Sequence, residues 1–104
     1  MITVKFFGTD PIEGFEAFGH GTINSDDTEG RIICSAVSSA VYLVANTLSE
    51  ILGAGIEASD DGEVLSVRVI SKKQESQTIL RGLKLHLSEL SRQYEKSIKI
   101  ISEV

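Results

Sequence analysis

Residues Phe18 to Val44 read FGHGTINSDDTEGRIICSAVSSAVYLV. The stretch changes character in its middle. Up to His20 it continues a period-two pattern. Gly21 to Gly30 is a polar loop of Gly, Asp, Asn, Ser and Thr. From about Arg31 the apolar residues Ile33, Val37, Ala40, Val44, Leu48 and Ile51 recur at three- and four-residue spacing, which predicts an amphipathic helix. Val41 and Leu52 widen its apolar side, so the helix is expected to be largely buried. Gly53 and Gly55 supply its stop.

Outward from this stretch, the pattern on both sides is that of strands and one further helix. Ile2, Val4 and Phe6 alternate with Thr3, Lys5 and Phe7, a first strand. Gly8-Thr9-Asp10-Pro11 is a turn signal. Ile12 to His20 then reads as a second strand, antiparallel to the first, with Phe15 and Ala17 on one side and Glu16, Phe18 and His20 on the other. After the helix, Ile56–Ser59, Asp60-Asp61-Gly62 and Glu63–Ile70 read as a hairpin, because Asp-Gly accepts the positive φ of a tight turn. Ser71 with Gln74 resembles a capping box opening a second helix. Its stripe is Leu80, Leu83, Leu87, Leu90 and Tyr94. Ser97 to Ser102 closes the chain as a strand. The order is ββαββαβ, an α+β fold with one mixed or antiparallel sheet packed against two helices. The strand order is left open.

Length and composition set the outer bounds. At 104 residues a single domain, 1–104, is expected, with 41% apolar and 24% charged residues. A net charge of −5 is unsuited to nucleic acid and suited to a basic protein or peptide partner. One cysteine forms no internal disulfide, and one thiol with two histidines is a poor metal set, so no cofactor or metal is expected. A reducing compartment, the cytoplasm, follows. Met1 leads directly into a strand pattern, so no signal sequence is expected, and polar residues break the run Ile32–Leu52, so no membrane span is expected.

The chemistry-bearing residues are Cys34 and His20. A helix beginning near Arg31 places Cys34 in or just after its first turn, where unpaired N–H groups and the dipole favour a thiolate. Ser38 lies four residues on, along the same face. The small residues Ser35 and Ala36 leave room for a second backbone. His20, at a strand end, is the available base if the loop returns the chain to it. The competing reading is a buried, inert thiol, since cysteine is among the most buried residue types.

Gly19-His20-Gly21, then a variable loop, then Ile32-Ile33-Cys34-Ser35-Ala36-Val37-Ser38 resembles the GHA…(D)IVCAAVS signature of the bacterial ribosomal-processing cysteine protease (Prp) family. The resemblance implies a small homodimeric α+β protease. It implies removal of a short N-terminal extension from a large-subunit ribosomal protein, with cleavage after an aromatic pair. It assigns His20 and Cys34 as the catalytic pair, and Ser38, Gly19, Gly21 and Ser35 as supporting or substrate-binding positions. Two positions depart from the signature. Gly21 stands where Ala is usual, and Arg31 stands where the family often has Asp, reversing a charge three residues before the thiol.

Other functions compete. One is a non-catalytic, ribosome-associated accessory protein that holds a basic segment in the same groove. A thiol transferase or redox protein is disfavoured, because neither a resolving cysteine nor a cofactor motif is present. His86 is expected on the flank of the second helix. Gly82, costly inside a helix, fits a place where another helix or chain approaches.

Overall fold

The Asp60-Asp61-Gly62 turn is the clearest case of local chemistry setting the chain's path. The Asp61 carboxylate accepts the N–H groups of Glu63 (2.8 Å) and Val64 (2.7 Å). These bonds hold the carboxyl below the usual carboxylate range. Gly62 takes φ +89°, a left-handed conformation open to glycine at no steric cost. The turn joins two strands, Ile56–Asp60 and Val64–Val69.

The computed structural model describes residues 1–19 and 28–103. The elements in chain order are β1 (Ile2–Phe7), β2 (Gly14–Phe18), α1 (Thr28–Asn46), β3 (Ile56–Asp60), β4 (Val64–Val69), α2 (Gln77–Gln93) and β5 (Ile98–Glu103). A π-helical turn, Thr47–Ile51, extends α1. The sheet order is β3-β4-β2-β1-β5. All neighbours are antiparallel except β1 and β5, which run parallel with Ile2 opposite Ile98. The fold is therefore α+β, ββαββαβ, with a mixed five-stranded sheet under two helices.

Alternation decides which face is covered. Ile2, Val4 and Phe6 of β1, Phe15 and Ala17 of β2, and Leu65, Val67 and Val69 of β4 are buried. They share one core with Ile33, Val37, Val41, Val44 and Leu48 of the first helical segment and Leu80, Leu83 and Leu87 of α2. Phe6 and Phe15 lie opposite each other in register, with ring centroids 6.0 Å apart. By length and composition alone, Thr28–Ile51 is apolar enough to cross a membrane. Its most apolar stripe, however, lies in this core.

Three local expectations are corrected. First, α1 begins at Thr28 rather than near Arg31. The hydroxyl of Ser97 donates to the Glu29 carboxylate (3.0 Å), a tertiary bond that supports a turn containing Gly30. Second, Ser71 does not cap α2. Its hydroxyl accepts the Gly55 N–H (2.7 Å), and α2 starts six residues later, at Gln77. Third, β2 is shorter than Ile12–His20, because Ile12 is tied elsewhere.

That tie is the buried amide of Gln77. Its oxygen accepts the Ile12 N–H (2.7 Å), and its nitrogen donates to the carbonyls of Ile12 (2.9 Å) and Lys73 (2.8 Å). It clamps the β1–β2 connection onto the start of α2. Replacing Gln77 by Leu strands both backbone groups of Ile12 out of water. The expected loss is about 2–4 kcal/mol of unfolding free energy, read by urea denaturation.

Candidate active site

Four chain segments meet at one end of the sheet. β2 ends at Phe18, paired with Thr3 near the start of β1. Gly19 follows with φ +94°, and a Cβ there would lie 2.3 Å from the Met1 carbonyl oxygen. Only glycine fits this approach. The Ile2 N–H donates to the Ser97 carbonyl (2.8 Å), which holds the start of β5 beside the start of β1. The Ser97 hydroxyl in turn reaches Glu29 in the first turn of α1. The exit from β2 and the entry to α1 are thus linked through Met1, Ile2 and Ser97. Residues 20–27 connect them. His20 and Gly21 fall in that segment, outside the described residues.

Cys34 lies six residues into α1, in its second turn. It falls just after the first turn, although α1 begins at Thr28 rather than near Arg31. The Cys34 N–H lies past the first turn of α1, within the helical hydrogen-bond ladder. From Glu29 to Cys34 the rise is about 7.5 Å. The thiol is half-buried and packs against the core.

The position of Cys34 on the helix follows from the core stripe. Successive helical residues turn by about 100°, so Cys34 sits about 60° to one side of buried Val37. Ser38, half-buried, and Tyr42, exposed, follow at four-residue intervals and continue this flank. The Tyr42 hydroxyl donates to Asp60 at the end of β3 (2.5 Å). The carboxylate beside it raises the phenol above its ordinary pKa. The Cys34 flank of α1 therefore looks toward the β3–β4 hairpin. Ser35 and Arg31 are exposed.

The opposite flank of α1 faces α2. Ala36, Ser39, Ala40 and Leu43 line a groove of about 460 Å³ with Ile79, Gly82 and His86. A Cβ at Gly82 would meet open space, and His86 is exposed. Cys34 does not line this groove. Among the described residues no group of His, Cys, Asp and Glu is arranged to hold a metal.

Comparison with known proteins bears directly on this arrangement. The family model described as "Cysteine protease Prp" matches residues 1–99. The chain belongs to the cysteine protease Prp family. Its fold is also that of three solved structures. The Streptococcus mutans protein SMU.848 is 21% identical, with 99% of each chain covered and a TM-score of 0.83. The S. aureus ribosomal processing protease Prp in complex with a substrate peptide is 18% identical, covering 99% of this chain and 100% of that one, with a TM-score of 0.86. The same S. aureus protease with a covalently linked product peptide is 20% identical at the same coverage, with a TM-score of 0.84. No curated protein matches the chain.

Membership makes the chain a cysteine protease, and Cys34 is its only thiol. Two contacts around the Prp signature escaped the sequence reading. The Ser97–Glu29 bond needs the position of β5, and the Tyr42–Asp60 bond needs the hairpin beside α1. Neither leaves a local signal. Gly19 is the testable part of the frame. Gly19→Ala forces a side chain into the Met1 carbonyl at positive φ and is expected to cost about 2–4 kcal/mol, read as a lowered melting temperature.

Proposed function

We propose that this protein is an endopeptidase in which Cys34 attacks the scissile carbonyl and His20 takes the thiol proton. The observation that carries the reading is the Prp family match over residues 1–99, which spans the Gly19-His20 and Cys34 motifs. The tie from Gly19 through Met1, Ile2 and Ser97 to Glu29 supports it, since it keeps both motifs' elements at one end of the domain.

The chemistry runs in two steps. The Cys34 sulfur bonds to the carbonyl carbon as the amine leaves, carrying the proton that His20 took from the thiol. Water, with His20 as base, then hydrolyses the thioester and frees the thiol. No third member is assigned, so the pair is a dyad. Ser38, one turn on along the same flank, contacts the substrate. Gly19, Gly21 and Ser35 give the peptide backbone room.

The substrate in this reading is the N-terminal extension of a large-subunit ribosomal protein, cut after an aromatic pair in the cytoplasm. The S. aureus relative, a ribosomal processing protease captured with a substrate peptide and with a covalently linked product peptide, supports both the substrate class and the covalent step. The assembly is a homodimer. Ile32 (61%) and Leu43 (66%) leave an apolar flank of α1 exposed in the single chain. Sedimentation as a monomer at working concentration would count against it.

The decisive assay is incubation with a synthetic N-terminal peptide of that ribosomal protein. Cys34→Ala and His20→Ala are each expected to lower cleavage by on the order of a thousandfold or more. Undiminished cleavage by Cys34→Ala contradicts the proposal. A folded wild-type protein that binds the peptide without cutting it supports the accessory-protein reading instead.

A further inference from the structure

We infer that the free edge of β3 is a docking strand for the extended, basic part of the substrate peptide, beside the Cys34 flank of α1. The inference rests on the protease reading for the identity of the peptide.

The backbone registers define the edge. In β4, the Val69 N–H donates to the Glu13 carbonyl on the β2 side, whereas the Ile70 N–H donates to Gly55 and the Val64 carbonyl accepts from Asp61 on the β3 side. Antiparallel ladders alternate, so Gly55, Glu57, Ser59 and Asp61 turn their backbone groups toward β4. Ile56 and Ala58 turn theirs away from the sheet. β3 is the outermost strand, and these groups make no hydrogen bond among the described residues. Their two N–H and two C=O groups repeat at about 6.8 Å, the spacing an added strand requires.

Two observations select this edge over β5 and select its occupant. The first is position. The Tyr42–Asp60 bond ties the end of β3 to the helix flank that carries Cys34 and Ser38, whereas β5 lies at the other edge of the sheet, packed against α2. The second is charge. Residues 57–63, Glu-Ala-Ser-Asp-Asp-Gly-Glu, carry four carboxylates and no cation. Sheet edges are commonly blunted by lysine, proline or bulges, and β3 has none of these. Its carboxylates repel a second copy of the same acidic edge and attract a lysine-bearing strand.

The test uses the full chain carrying Cys34→Ala, to prevent turnover. The probe is a ten-residue peptide of alternating lysine and threonine before a Phe-Phe-Ala end. Its counterpart with glutamate for lysine is the control. Binding of the lysine peptide is expected to slow amide exchange at Ile56 and Ala58 by about tenfold or more, and the glutamate peptide is expected to bind more weakly. Ala58→Pro removes an outward N–H without touching the β4 ladder, and is expected to raise Kd about tenfold at unchanged circular dichroism. Binding without protection at Ile56 and Ala58, no binding, or equal binding of both peptides overturns the inference. If Ala58→Pro unfolds the chain, the exchange measurement decides alone. Turnover by the intact Cys34 enzyme reports separately on the protease reading. Cleavage without edge protection sinks only the docking strand, and edge protection without cleavage sinks only the protease.

Discussion

Ile33, Val37, Val41, Val44 and Leu48 form one stripe of a continuous helical segment, and that stripe is buried in the same core as Val4, Phe6, Phe15 and Val67. Burying five such side chains contributes roughly 8–15 kcal/mol before conformational entropy is subtracted. The stripe fixes the rotation of α1 about its own axis. Every other residue of α1 is then assigned a direction. Ala36, Ala40 and Leu43 turn toward α2, and Cys34, Ser38 and Tyr42 turn the other way.

That rotation explains why Cys34 is half-buried. It lies at the border of the stripe, where one side of the sulfur meets packed side chains and the other meets the space beside the hairpin. A thiol at the centre of the stripe, in the place of Val37, would be sealed. A thiol at the place of Ser35 would be exposed and free to rotate. The border position gives a thiol held by packing on one side and partly exposed on the other, as the nucleophile role proposed above requires. At the sheet end, Ser97 adds the second constraint by fixing where α1 begins relative to β1 and β2.

What the sequence made legible was local. The Leu80–Leu87 stripe, the Asp-Gly hairpin and the alternation of β1 each encode their element in adjacent residues, and each stands where the pattern places it. The start of α1 was not legible. Thr28-Glu29-Gly30 is a weak helix former, and Ser97, 68 residues away, supplies its support. Nor was the role of Ser71, whose hydroxyl serves Gly55 rather than a helix start. The strand order depends on β5 returning to β1 across almost the whole chain, a pairing that no local pattern encodes. At the candidate site, the family motif marked Cys34 and Ser38, and their place on a core-bordering helix flank follows from the helical period. Arg31 is exposed, and nothing in the structure explains why it replaces the acidic residue of the Prp signature.

The proposed chemistry requires Cys34 to bond covalently to the acyl half of the cleaved peptide with His20 as its base. Intact-mass spectrometry of the protein quenched in acid during turnover tests it most directly. The expected result is an added mass equal to the N-terminal fragment, located on Cys34 by peptide mapping and lost in His20→Ala. Turnover with no adduct on Cys34, or an adduct that forms equally well in His20→Ala, would contradict it.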